Sequence, residues 1–341
     1  MTTLSLDFGT RKEMVSLLQG AWRARAIHVA VELGIPDLLG ERDQTVAELA
    51  ETTGAHEPTL ARLLRALASF GVFQRLDDGR TYASTPLSEV LQTKPGCAES
   101  ADARFMAAPW HWAAWGQLLH SVRTGESAFE VANNGVSFWE LTSSDPDAKE
   151  RFNAAMSSVS EEESAEVARV YDFSRFPRIV DVAGGLGSLL GAILAAHPGV
   201  HGTLLERDEI IPLAERLLGA AGVAGRYELV AGDFFDKVPE QADLYLIKRA
   251  LHDWDGDDIV RILSRIRDAM RPDSTLLVLE GVIDEDSDEE DLFRGLLLTV
   301  LCGGQDRTER DYRELIERAG LQVRRTIPVS GSLRILEATR A

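Results

Sequence analysis

Residues 178–190 read RIVDVAGGLGSLL. Ile179, Val180 and Val182 form a β-branched run around Asp181, and the run ends in Ala183-Gly184-Gly185-Leu186-Gly187. An apolar stretch from Ser188 to Ala196 follows at once. A strand, a glycine turn and a helix start in that order let backbone approach a nucleotide-like ligand. Three later strand ends also carry polar or aromatic residues. Glu206 closes LLE, Asp233 and Phe234 end YELVAGDFF, and LYLIK runs into Arg249-Ala250-Leu251-His252-Asp253-Trp254. Open α/β sheets bind ligands outside the carboxyl ends of their strands, where all four sites would lie.

From Tyr171 onward strands and helices alternate. The pattern predicts strands near 178–183, 202–206, 227–231, 242–248 and 275–280, with helices near 188–196, 209–221, 257–270 and 309–319. Such alternation implies a parallel sheet covered on both faces. The end differs. Leu321 to Val329 and Ser332 to Thr339 are strand-like runs split by Ser330-Gly331. Two residues can close a hairpin but not a parallel crossover, so the final strand is expected to be antiparallel.

The first hundred residues follow another pattern. Met14, Leu17, Leu18, Trp22, Ile27, Val31 and Leu33 suggest a helical stretch over 11–40, punctuated by Gly34 and Pro36. Thr45 and Glu48 are placed as a capping box opening a second helix, which Gly54 stops. Pro58 to Phe70 carries Leu60, Leu63, Leu64 and Leu67 at helical spacing. Residues 72–76 and 81–83 then flank a turn at Asp78-Gly79. Helix, turn, helix and hairpin make a winged helix. Between 100 and 160 lie Phe105, Met106, Trp110, Trp112, Trp115, Phe129, Phe138, Trp139, Phe152 and Met156, as in a helical connector that is partly core and partly pocket wall.

At 341 residues, two domains are the natural expectation, and a net charge of −19 argues against nucleic acid and anionic membrane surfaces as partners. Seven of the eight residues 284–291 are acidic and read as a solvated loop. Cys97 and Cys302 lack metal-ligand spacing and fit a reduced, cytoplasmic protein. No signal peptide or membrane span is expected. A winged helix also admits a DNA-binding regulator. Arg62, Arg65, Arg75 and Arg80 would serve it, but Glu48, Glu51, Glu57, Asp77 and Asp78 and the strongly acidic chain stand against it.

VDVAGGLG, Glu206, GDFF, KRALHDW, LLVLEGV and GGQDRT follow one another in an order and spacing that resemble the small-molecule O-methyltransferases. That family includes plant caffeic acid and isoflavone enzymes and bacterial enzymes that methylate aromatic natural products. The resemblance implies a Rossmann-like methyltransferase sheet with an antiparallel final strand, preceded by a mainly α winged-helix dimerisation domain. The implied divisions are 1–98 for dimerisation, 99–170 for the connector and 171–341 for catalysis. It implies S-adenosylmethionine (SAM) as cofactor, S-adenosylhomocysteine (SAH) as product, an aromatic hydroxyl on a small secondary metabolite as acceptor, a homodimer and no metal. A relative that keeps SAM but decarboxylates or hydroxylates is the alternative within this fold.

Residue roles follow from the same resemblance. Ser160, Asp181, Ala183, Gly184, Gly185, Glu206, Asp233, Phe234, Lys248 and Arg249 are expected at the cofactor. Glu206 would accept from the ribose hydroxyls and Asp233 from the adenine amine, with Phe234 against the adenine face. Ala183 replaces the family's usual glycine, which a negative φ would tolerate. His252 is expected as general base, oriented by Glu280, with Asp306 as a second acidic neighbour. A phenol with a pKa near 10 is mostly neutral at pH 7, so a positioned base aids its methylation. Phe105, Trp112, Met156, Val159 and Asp253 are expected to line the acceptor pocket. Asp253 could otherwise cap the next turn.

Overall fold

The helical stretch expected over 11–40 is three helices: α1 (Phe8–Leu18), α2 (Gly20–Glu32) and α3 (Ile35–Glu41). Gly34 separates the last two at a φ of 68°, a left-handed conformation that suits a residue without Cβ. The computed structural model describes residues 8–94, 97 and 99–341, and the side chains of Ser158 and Val159 lie outside that description. After β1 (Gln44–Thr45) comes α4 (Val46–Thr53), which has the capping box its sequence promised. Glu48 accepts from the Thr45 amide at 2.7 Å and donates its own amide to the Thr45 hydroxyl at 3.2 Å. α5 (Glu57–Ala68) buries Leu60, Leu64 and Leu67. β2 (Gln74–Arg75) and β3 (Thr81–Ala83) close an antiparallel wing with β1. The Asp78 carboxylate accepts from the Arg80 and Thr81 amides, both at 2.8 Å, and so sets the turn.

Short helices follow: α6 (Pro86–Glu89), α7 (Glu99–Ala107), α8 (Pro109–Trp115), α9 (Leu118–Thr124), α10 (Ala128–Ala132) and α11 (Phe138–Ser144). They lead into the long α12 (Pro146–Val170), N-capped by Asp145. Contacts divide the chain into two units. One holds the residues up to Trp112 with Glu150–Ser158, and the other holds Ala113–Lys149 with Val159 to the end.

The second unit contains the sheet. β4 (Arg178–Val182), α13 (Ser188–Ala196), β5 (His201–Glu206), α14 (Ile211–Ala220), β6 (Tyr227–Ala231), β7 (Leu244–Lys248), α15 (Gly256–Ala269) and β8 (Thr275–Gly281) match the alternation read from the sequence. α16 (Glu289–Cys302), α17 (Glu309–Arg318), β9 (Leu321–Pro328) and β10 (Leu333–Arg340) complete the chain. The strand order is β6-β5-β4-β7-β8-β10-β9. β10 is antiparallel to both neighbours, as the hairpin required, but it sits inside the sheet with β9 at the edge. Successive side chains alternate between two cores. Val180, Val182, Tyr245, Ile247, Leu276 and Val278 face one; Ile179, Leu244, Leu246, Leu277 and Leu279 face the other. Both faces being covered explains why these strands read as continuous apolar runs.

One expectation fails here. The acidic run is a loop only as far as Ser287. Asp288 caps α16, accepting from the Asp291 amide at 3.0 Å, and Glu289, Glu290 and Asp291 form its first turn. Carboxylates favour that end because unpaired amides and the helix dipole present positive charge there. No helix among the described residues is long and apolar enough to cross a membrane.

Candidate active site

β4 and β7 pair in register through Val182 and Ile247, so the glycine turn and Lys248 leave the sheet side by side. Ala183 has a φ of 55°. The negative φ that would tolerate alanine without strain is not adopted: the Ala183 amide bonds the Leu205 carbonyl at 2.9 Å, and the chain then turns through a left-handed residue. A Cβ on Gly184 would lie 2.6 Å from the Asp181 carboxylate and 2.3 Å from Leu204, so only glycine fits the close approach. Asp181 is fully buried, and neither carboxylate oxygen has a hydrogen bond of ordinary geometry among the described residues. Burial pushes its pKa up to about 7 against the opposing charge of Lys248.

Glu206 lies at the end of the neighbouring strand. It accepts from the Gly185 amide at 3.0 Å and the Arg207 amide at 2.9 Å, which ties the turn to β5. Asp233, exposed at the end of β6, accepts from the Phe235 amide at 2.8 Å. Phe234 is half-buried, its ring edge-on to Trp254 at 6.0 Å. A buried carboxylate without a partner, a turn a Cβ would block and two further carboxylates at adjacent strand ends fit a cationic nucleoside such as SAM. SAM brings an electrophilic methyl group on a sulfonium leaving group.

Lys248 donates to the Ser160 hydroxyl at 3.0 Å and pairs with Glu163 at 3.2 Å. Arg249, left-handed at a φ of 52°, pairs with the same Glu163 at 2.6 Å. Burial alone would raise the Glu163 carboxyl, but Arg249 and Lys248 outweigh it and hold the pKa below its ordinary value. Sequence reasoning missed Glu163. Two adjacent cations at a strand end, with an acid one helical turn beyond Ser160, were the available signal.

His252 sits in a single 3-10 turn, Leu251–Asp253, just after β7. Its Nδ1 lies 2.8 Å from an oxygen of Glu280, which is fully buried at the end of β8. The other Glu280 oxygen accepts from the Ala250 and Leu251 amides at 2.9 and 2.8 Å. Burial opposes ionisation of Glu280, but His252 and Arg249 hold its pKa below the usual value. Asp253 does not cap the next helix; Asp255 does. Asp253 instead faces His252 Nε2 at 3.5 Å and the Cys302 thiol at 3.5 Å. Asp306 packs over Gly295 of α16, where a Cβ would overlap its carboxylate. It shares the electrostatic field of His252, and burial raises its pKa. Burial disfavours the charged form of His252, yet Glu280 and Asp253 overcome this and raise its pKa to about 9.

The expected acceptor residues are less concentrated. Phe105 is buried in the first unit, its centroid 5.5 Å from Trp110 and 4.9 Å from His111. Trp112 meets His28 edge-on at 6.1 Å under the Arg25 guanidinium, and Met156 is exposed. Val159 falls outside the described side chains.

Comparisons with known proteins fit this geometry. The O-methyltransferase domain profile matches residues 115–322, and the O-methyltransferase dimerisation domain profile matches 15–94. A mitomycin biosynthesis 6-O-methyltransferase of Streptomyces lavendulae is 55% identical over 326 residues, covering 95% of this chain and 93% of that protein. The solved mitomycin 7-O-methyltransferase MmcR superposes with a TM-score of 0.95 at 54% identity, over 98% of each chain. NcsB1, an O-methyltransferase from neocarzinostatin biosynthesis solved with SAM and 2-hydroxy-5-methyl naphthoic acid, superposes with a TM-score of 0.81 at 34% identity. That match covers 93% of this chain and 96% of NcsB1. The chain belongs to the SAM-dependent O-methyltransferase family.

Proposed function

We propose that this enzyme methylates a hydroxyl on a small aromatic secondary metabolite, with His252 at the acceptor oxygen and Glu280 fixing the imidazole. The observation that carries the reading is the 2.8 Å His252–Glu280 pair on the turn directly after β7, the strand beside the glycine turn. Glu280 binds two backbone amides as well as the ring, so the imidazole is oriented before any ligand arrives. For an ordinary phenol the unbonded side of the ring takes the acceptor proton. Glu206, Asp233, Phe234, Lys248 and the turn around Gly184 and Gly185 hold SAM, with the buried Asp181 against the turn at Gly184. Acceptors of aromatic character are supported by the 2-hydroxy-5-methyl naphthoic acid held with SAM in the NcsB1 complex.

Assembly as a homodimer through the N-terminal domain is part of this reading. α1 buries no residue within one chain, and Phe8, Leu17, Leu18 and Trp22 are 68–81% exposed. The dimerisation profile, residues 15–94, begins in the last turn of α1 and takes in Leu17, Leu18 and Trp22. A division at about residues 98 and 170 and a cytoplasmic site of action, consistent with two free cysteines, complete the proposal.

Mass spectrometry of aromatic hydroxyl compounds incubated with enzyme and SAM tests it, a gain of one methyl group being expected. Calorimetry on Glu206→Ala tests the cofactor site. Losing a charged hydrogen-bond acceptor weakens binding by about 1.5–3 kcal/mol, roughly tenfold or more. SAM bound at wild-type affinity would remove Glu206 from the site.

A further inference from the structure

Arg249 is the first residue after β7, and its backbone would suit glycine better. Its φ of 52° is a left-handed conformation that costs energy in any residue with a Cβ. Its amide is tied to the Leu279 carbonyl at 2.9 Å, so the chain leaves β7 against β8. A large side chain kept at a strained position points to a task for that side chain. The guanidinium is mostly buried, and its two sides face two different elements. Nη2 and Nε donate to one oxygen of Glu163 on α12, at 2.6 and 3.2 Å, while the other Glu163 oxygen takes Lys248 at 3.2 Å. Nη1 lies over the end of β8. A Cβ on Gly281 would stand 2.6 Å from it, so the glycine leaves the room that the guanidinium fills. Gly281 follows Glu280, whose carboxylate binds the Ala250 and Leu251 amides and His252 Nδ1.

We propose that Arg249 is a positioning residue for the Glu280–His252 pair, bracing the end of β8 against Glu163, and not a ligand of the cofactor. This rests on the reading of His252 as the residue at the acceptor oxygen and adds a second support to it. Lys248 and Arg249 are adjacent in sequence but serve different ends of the site. Arg249 neutralises Glu163, and Lys248 remains as the surplus positive charge, available to the carboxylate of SAM. The planar guanidinium suits the bracing task because it donates on two sides at once.

The surrounding charges agree. Burial opposes the charge of Arg249, but Glu163 and Glu280 outweigh it and raise its pKa. Around the imidazole, Glu280 on β8 and Asp253 on the same turn favour the cation, and Arg249 opposes it. Asp306 adds a further carboxyl to that field, itself acted on by Asp291 and Arg294 of α16 and by Arg307. Two neutral groups complete the surroundings. Burial pushes up both the Cys302 thiol of α16, which donates to Asp253, and the Tyr312 hydroxyl of α17, which lies in the field of Glu280 and Arg249.

The test uses the full-length enzyme carrying ¹³C at histidine Cε1, with His252→Ala identifying the His252 resonance. Arg249→Gln is made together with Glu163→Gln, so that no buried carboxylate loses its partner and Lys248 stays free. Glu163→Gln alone is the reference. Calorimetry with SAH should give the double variant the affinity of that reference, whereas Lys248→Gln should lose about tenfold or more. The His252 titration midpoint should rise by about one pH unit in the double variant, because an opposing cation has gone. It should stay in place in Arg249→Lys, which keeps the charge. A roughly tenfold loss of SAH affinity in the double variant overturns the inference by placing Arg249 at the cofactor. An unmoved His252 midpoint overturns it too, since the guanidinium then only joins α12 to the sheet. Turnover by His252→Ala at the wild-type rate removes the acceptor-oxygen reading alone, and the titration and calorimetry still decide the place of Arg249.

Discussion

At the scale of single residues, the proposed chemistry turns on one imidazole, His252, and on Glu280, which binds it. His252→Ala should lower kcat about 10²–10⁴-fold on a phenolic acceptor while SAM affinity stays near wild type. Glu280→Gln should lose less, because the ring remains but its orienting anion does not. Stopped-flow turnover and calorimetry on the same preparations separate the two effects, and weakened SAM binding in His252→Ala would place the ring at the cofactor instead. The same residue has a signature in stability. Its folded pKa, about 9, lies above the ordinary 6.5. Its ion pairing therefore contributes fully below about pH 6.5 and is lost as pH rises through 9. The urea-midpoint difference between wild type and His252→Ala should shrink between pH 6.5 and 10. Ala183 gives a test of backbone strain. A non-glycine residue held at a φ of 55° costs about 1–2 kcal/mol, part of which glycine's extra freedom in the unfolded chain gives back. Ala183→Gly should thus raise stability by about 0.5–1 kcal/mol. A lower melting temperature would mean that the methyl group packs usefully.

Among elements, what could be read in advance was what repeats along the sequence. β4 to β8 and their helices were legible because each strand buries both faces and each helix has a polar side, so the alternation survives in the residues alone. Glu280 and His252 were legible because both sit at strand ends, where a polar residue interrupts an apolar run. α16 was not. Its first turn is Glu289-Glu290-Asp291, continuous with the acidic loop before it, and charge density concealed the cap at Asp288. Asp288→Ala should cost about 1 kcal/mol, measured by thermal melting, whereas Glu285→Ala, in the loop, should cost almost nothing. Equal effects would mean that net charge rather than capping governs this segment. The position of β10 was hidden for another reason. A hairpin fixes that two strands are antiparallel, but which of them pairs with β8 depends on contacts distant in sequence. Glu163 was missed because its partners, Lys248 and Arg249, lie about 85 residues away.

At the scale of the whole molecule, the exposed apolar face of α1 asks for a covering surface. Leu17 and Leu18 are 68% and 72% exposed in one chain, a contiguous display that soluble monomers avoid. In the homodimer proposed here, Leu17→Asp with Leu18→Asp should yield a folded monomer by light scattering at micromolar concentration. A double variant that stays dimeric would place the interface elsewhere. The N-terminal domain, the sheet and the His252 turn then serve one reaction, methyl transfer to an oxygen. The most direct test is the position of the transferred carbon. With ¹³C-methyl SAM and an aromatic acceptor carrying both a hydroxyl and an amine, the NMR spectrum of the product should show the label as an aryl methyl ether, with one equivalent of SAH formed. Label on nitrogen or carbon, or SAM consumed with no labelled product, would contradict it.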